Sequence, residues 1–322
     1  MNFKAKKVFF TAFVATLLFV ILTTGARTYA LLSHYTPSLG HFDGGFFADV
    51  FLPLIYIAAA VAFLLFGALF RESLTGRAYK TTLPTLFAAG FAAIATVVWL
   101  VSFAGEFFSE PHMPVQTVCG ILLLCFGAVS AVYLVLNALP HPPHGATLLT
   151  GLGAALFCLA FAFYAYFDTA FTLNSPIKIF DQITFVVLVL FFLAEGRFRQ
   201  GTMHEALFLP VCMCAVTLCG SAAVSGLIYN AVEQRPLVGI VMHDFLLFGL
   251  FLYTLTRLLS FCLPTYYTSE DLAAAIGRPT AFEAEEIPII PDEKEPFAQE
   301  RFNFDAKTDT FDITPKNDEE KE

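Results

Sequence analysis

The chain has 322 residues, of which 57% are hydrophobic and only 14% charged, and its mean hydropathy is +0.70. A water-soluble fold cannot bury that much apolar surface, so the composition excludes a soluble globular protein and makes lipid the natural solvent. The net charge of −9 belongs to one end: residues 264–322 hold 16 acidic and 6 basic residues. The apolar body is close to neutral, and no basic patch remains to grip nucleic acid.

In chain order, eight segments approach or meet the ~20 apolar residues needed to cross ~30 Å of hydrocarbon. They cover approximately 8–32, 46–70, 82–104, 115–139, 147–168, 177–197, 203–231 and 238–263. Their separators are short and rich in Pro, Gly and polar residues, as in Pro37 to Gly45, Glu110-Pro111-His112, Pro140 to Gly145 and Asn174-Ser175-Pro176. The expected fold is therefore all-α: a polytopic helical membrane protein of about eight transmembrane helices over residues 1–263, followed by a tail.

The first segment starts with a basic cluster and carries small residues near Thr28-Tyr29-Ala30, which raises a cleaved signal peptide as an alternative. Its uncharged stretch from Val8 to Ala26 exceeds the ~7–15 residues of a signal core, so an uncleaved anchor is expected. Lys and Arg fix the orientation. One side receives Lys4, Lys6, Lys7, Arg71, Arg77, Lys80, Arg197 and Arg199, and the other chiefly Arg27, Lys178 and Arg235. The positive-inside rule then places both termini in the cytosol, and an even number of crossings requires them to share a side; the expected location is a cell membrane, and the lack of an Asn-X-Ser/Thr acceptor with a permitted middle residue is compatible with the cytoplasmic membrane of a bacterium.

Small residues gather at Ala58–Ala60, around Gly90, at Gly151 and Gly153, and from Gly220 to Gly226. Close helix packing is their default meaning; for the last cluster, an unwound helix at a binding site is the alternative. Basic turns after the second and sixth segments hint at two four-helix halves, without an internal repeat. All seven cysteines fall in apolar segments or at their edges, which suits packing and argues against a disulfide framework.

From Pro264 the composition turns to acids, Pro and isolated aromatics. Ser269 to Gly277 reads as one short helix with Ser269 as its cap, and the rest of residues 264–322 as a disordered acidic tail.

Most charges in the body can reach an interface, but those of two segments cannot. Asp181 and Glu195 are separated by 13 residues, and Asp244 and Arg257 by 12, so each pair spans only ~20 Å at ~1.5 Å per residue. One charge of each pair must then enter the ~30 Å slab, at up to ~2.5–3.5 kcal/mol near its centre. The sixth and eighth segments run in the same direction, which sets Glu195 level with Arg257 and Asp181 level with His243 and Asp244. An inner ion pair between Glu195 and Arg257 is expected. So is an outer acidic intramembrane site of Asp181, His243 and Asp244, with Arg27 as its counter-charge.

Catalytic signatures are missing. His204-Glu205 opens like a zinc-protease helix, but Phe208 stands where the second His is needed, and His34, His41, His112, His141 and His144 read as solvated loop residues. No cofactor, metal or catalytic residue is expected. Two uses of the body follow. It is either a proton- or cation-linked, transporter-like carrier or sensor built on the outer site, or a membrane scaffold that recruits a cytosolic protein through its acidic tail.

Overall fold

The computed structural model describes residues 3–36, 41–42, 47–71, 81–109, 111–139, 144–167, 175–234 and 240–262. The chain begins with α1 (Phe3–His34), followed by two-residue strands β1 (Tyr35–Thr36) and β2 (His41–Phe42), paired antiparallel with Tyr35 opposite Phe42. A π-helical turn at Phe47–Phe51 leads into α2 (Leu52–Leu69). Then come α3 (Leu83–Phe107), α4 (Pro114–Asn137), α5 (His144–Phe167), α6 (Pro176–Arg199), α7 (Glu205–Val232) and α8 (Ile240–Cys262). All eight are long and apolar enough to cross a membrane, and helices are the form in which such segments satisfy their own backbone polar groups in lipid. The protein is a helical membrane protein. The tail at 264–322, with its expected helix at 269–277, lies outside the described residues, as do Asp43, Arg77, Lys80, His141 and Arg235.

Proline opens four of the helices, through Pro53, Pro84, Pro114 and Pro176 in the first turn, where its missing N–H costs no helical hydrogen bond. The first helix is longer than its apolar core, because α1 extends over the basic residues back to Phe3.

The helices do not form two four-helix halves. Six of them close a ring in which α3 packs on α4, α4 on α5, α5 on α6, α6 on α7, α7 on α8, and α8 back on α3. Helices α1 and α2 stand outside this ring against α7. Helix α7 therefore carries neighbours on both sides, which explains why it is buried on nearly all faces. Its small residues make that possible. The helix runs unbroken through Gly220–Gly226, and a side-chain carbon at Gly220 would stand 2.7 Å from the Phe251 ring of α8. Pro210, inside α7, is in turn received by Gly67 of α2. These glycines let backbones approach, so the packing reading of the cluster describes α7 and the unwound-helix alternative does not.

Aromatic contacts fix which helix ends share a face. Phe9 of α1 lies 5.5 Å from Phe261 of α8, and Phe261 lies 5.4 Å from both Phe198 of α6 and Phe208 of α7. This is the terminal face; the ends of α1 and α2 nearest the β1–β2 pair form the far face. Between the faces the ring interior is filled by Phe185, Leu188, Phe191 and Phe192 of α6, all essentially inaccessible.

Candidate functional site

Two polar clusters interrupt this apolar interior, one towards each face. Near the terminal face, three alternate members of the ring each turn an i, i+4 pair inward: Tyr133 and Asn137 from α4, Glu195 and Arg199 from α6, Tyr253 and Arg257 from α8. Residues four apart share a helix face, so each pair reaches the centre as a unit. Arg257 Nε lies 2.7 Å from Glu195 Oε1, and Arg199 Nη2 lies 3.6 Å from the same oxygen. Tyr133 donates to Glu195 Oε2 at 2.8 Å, and Tyr253 donates to Oε1 at 2.9 Å and Oε2 at 3.1 Å. Asn137 Oδ1 accepts from Arg257 Nη2 at 2.8 Å and also from Arg199, while Asn137 Nδ2 donates to the Tyr133 carbonyl at 2.8 Å.

Every group in the terminal cluster is buried. A carboxylate taken out of water needs its lone pairs satisfied as well as its charge balanced, and two tyrosine hydroxyls with two guanidinium groups supply both. Arg199 and the hydroxyls are the members that charge spacing alone misses. Arg199 reads in the sequence as an interfacial basic residue, yet its side chain folds back one turn onto Glu195. The repeated i, i+4 pairing of polar groups on three helices is the signal that would have found them.

The second cluster lies towards the far face. Arg27 of α1 lies 3.9 Å from Asp181 of α6 (Nη2 to Oδ1), and His243 Nε2 of α8 lies 3.6 Å from Asp181 Oδ2. The imidazole stacks on Phe161 of α5, with centroids 5.2 Å apart, and Phe161 stacks on Phe185 at 3.8 Å. Asp244, one residue along α8, points elsewhere because successive helical side chains diverge by about 100°. Its carboxylate accepts from Asn230 Nδ2 of α7 at 2.6 Å and sits in the notch left by Gly226. The two aspartates therefore do not share one proton in a dyad. Asp181 belongs to Arg27 and His243, and Asp244 to α7. Asn230 is a further member that the sequence does not announce.

Arg27 links this cluster to α2. Its guanidinium lies over the Phe180 ring at 3.7 Å, and Phe180 in turn lies 4.8 Å from Tyr56. The Tyr56 hydroxyl faces Arg27 and hydrogen-bonds with Ser221 of α7. Against family models, curated proteins and solved structures, the chain finds no match.

The clusters differ in tightness. Polar contacts to Glu195 run from 2.7 to 3.6 Å, whereas Asp181 meets its cations at 3.6 and 3.9 Å, beyond ordinary hydrogen-bond length. The terminal cluster has the geometry of a clamp, whereas in the far cluster the contacts of Asp181 are long and Asp244 alone is held tightly, by Asn230 at 2.6 Å. No group of three or more metal-ligating side chains converges among the described residues.

Proposed function

We propose that the protein is a proton-responsive membrane sensor or carrier whose responsive group is the Arg27–Asp181–His243 chain with Asp244 beside it. The observation that carries this reading is the loose junction at Asp181, where α1, α6 and α8 meet through contacts of 3.6 and 3.9 Å. The four groups hold two carboxylates and one guanidinium, so a single proton on the imidazole balances their charge. Balance matters in a low-dielectric interior. A protonated His243 draws towards Asp181, and a neutral one releases it, so protonation biases how α6 and α8 sit at the far face. Arg27 argues against a metal cation in the same place, because it would repel one.

The filled interior at Phe185, Leu188, Phe191 and Phe192 favours a sensor in the described state, and carriage of a solute would require the ring to open. In the cell, both termini face the cytosol on the positive-inside count. The scaffold reading rests on the acidic composition of residues 264–322; pull-down with the full chain and with a chain ending at Pro264 tests it.

The proton reading is tested with Trp99, the chain's single tryptophan, which lies 5.5 Å from Phe161, the ring stacked on His243. Reconstituted protein should show a reversible, pH-dependent change in tryptophan fluorescence that is lost in His243→Gln and shifted in Asp181→Asn. An identical titration in all three proteins would sink the proposal.

A further inference from the structure

Helices α2 and α6 both pack on α7 but not closely on each other, and the splay leaves a crevice of about 470 Å³ between them. Its floor includes Cys214, Thr217 and Leu218 of α7, and its head is Arg27 with Tyr56. The lining runs from Leu52 to Phe63 on α2 and from Pro176 to Val187 on α6, a rise of eleven residues in each case, or about 16 Å along the helix axis, of which about 10 Å lies inward of Tyr56 and Phe180. Apart from the head the walls are almost wholly apolar.

Three features identify an occupant. First, Ile57 and Ile183 line the crevice and are about half exposed, so it opens sideways to hydrocarbon and is entered from the bilayer. Second, Arg27 is 7% exposed and its Nε atom has no hydrogen-bond acceptor among the described residues. Asp181 approaches Nη2, on the same edge as Nε, only to 3.9 Å, beyond hydrogen-bond length, so the Nε–H on that edge still lacks an acceptor, and Phe180 pins the plane of the guanidinium. A buried arginine fork of this kind suits an oxyanion, above all a phosphate. Third, Arg27 lies seven residues before the end of α1, and Tyr56 four residues after the start of α2, about 6–10 Å inside the helix ends. With Val8 to Ala26, 19 uncharged residues or about 28 Å of helix, before it on α1, Arg27 stands close to the edge of the ~30 Å of hydrocarbon, where the headgroup layer begins.

We propose that this crevice binds an anionic phospholipid of the surrounding bilayer, with one acyl chain between α2 and α6 and the phosphate on the Nε edge of Arg27. The crevice volume falls in the ~300–1,000 Å³ range of small-molecule sites. The chain supplies burial, and the arginine supplies selection for negative charge over a zwitterionic headgroup.

Native mass spectrometry of the full-length protein in detergent, titrated with phosphatidylglycerol and phosphatidylcholine of identical chains, tests the proposal. The expected result is a preference of about tenfold for phosphatidylglycerol. In Arg27→Gln that preference falls to near unity, and in Arg27→Lys, which keeps the charge, it persists in weaker form. Ala60→Phe, which fills the crevice from α2, reduces retention of both lipids without altering their ratio. Equal retention of the two lipids by the unmodified protein overturns the proposal, as does undiminished retention in Ala60→Phe. Should Arg27→Gln fail to fold, those two comparisons still decide it.

Discussion

Arg257 and Glu195 meet at 2.7 Å although the helices that carry them, α8 and α6, do not pack closely on each other. Long side chains from alternate members of the ring reach its centre, so the ion pair acts as a spoke joining non-neighbouring helices. Tyr133 and Asn137 of α4 add a third spoke. Losing the hub should loosen the ring as a whole.

Substitution at the hub should be asymmetric. Glu195→Gln removes the carboxylate that faces both Arg257 and Arg199, whereas Arg257→Met leaves Glu195 with Arg199 at 3.6 Å. Breaking a buried pair costs about 3–5 kcal/mol, and Glu195→Gln should approach that figure while Arg257→Met falls short of it. The double variant should be more stable than the sum of the two losses predicts. Thermal unfolding in detergent measures all three, and strictly additive losses would show that the residues act independently.

The tyrosine hydroxyls should matter unequally. Tyr253 contacts both Glu195 oxygens, and its hydroxyl also accepts from Arg257 Nε at 3.3 Å and Nη2 at 3.2 Å. Tyr133 donates to Oε2 at 2.8 Å, and its hydroxyl lies 3.4 Å from that of Tyr253. Hydrogen bonds to charged groups contribute about 1.5–3 kcal/mol, so Tyr253→Phe should fall near the upper figure and Tyr133→Phe near the lower. Because the hydroxyls share an acceptor, the double variant should depart from additivity.

The eight crossings are legible in the sequence because lipid imposes long apolar runs, and the depth of each charge follows from counting residues along a helix. Counting sets Glu195 level with Arg257, and Asp181 with His243. It cannot say what else joins them. Tyr133, Tyr253 and Asn230 sit inside apolar runs, where they read as packing or interface residues, and only the fold shows their polar atoms aimed at carboxylates. The separate destinations of Asp181 and Asp244 were likewise hidden, since depth is fixed by residue number but direction depends on which neighbours surround α8. The crevice is a product of how α2 and α6 lean on α7, and no residue pattern announces such a splay.

Glycine replacements should separate close approach from empty space. A methyl group at Gly226 would meet the Asp244 carboxylate and push it from Asn230. Gly226→Ala should therefore destabilise by about 1–3 kcal/mol, as overpacking does. At Gly105 of α3 the same methyl meets nothing within 4 Å, and Gly105→Ala should be neutral or stabilising by up to about 1 kcal/mol through its helix preference. Melting temperatures of the two variants check the contrast.

Phe161 should prove to be the relay between His243 and Trp99, and not part of the proton site itself. Its ring stacks on the imidazole at 5.2 Å and on Phe185 at 3.8 Å, and lies 5.5 Å from the indole, so the four aromatic groups form one continuous contact. Phe161 offers no hydrogen-bonding group to Asp181 or His243. Replacing it by leucine keeps an apolar side chain in the ring interior but removes the stacked plane. Phe161→Leu should still bind the proton, seen as an unaltered histidine titration by NMR of protein with labelled imidazole, while the tryptophan fluorescence response shrinks or disappears. His243→Gln should abolish both signals. If Phe161→Leu retains the full fluorescence change, Trp99 senses the far cluster by another route; if it also shifts the histidine titration, the stacked ring belongs to the site.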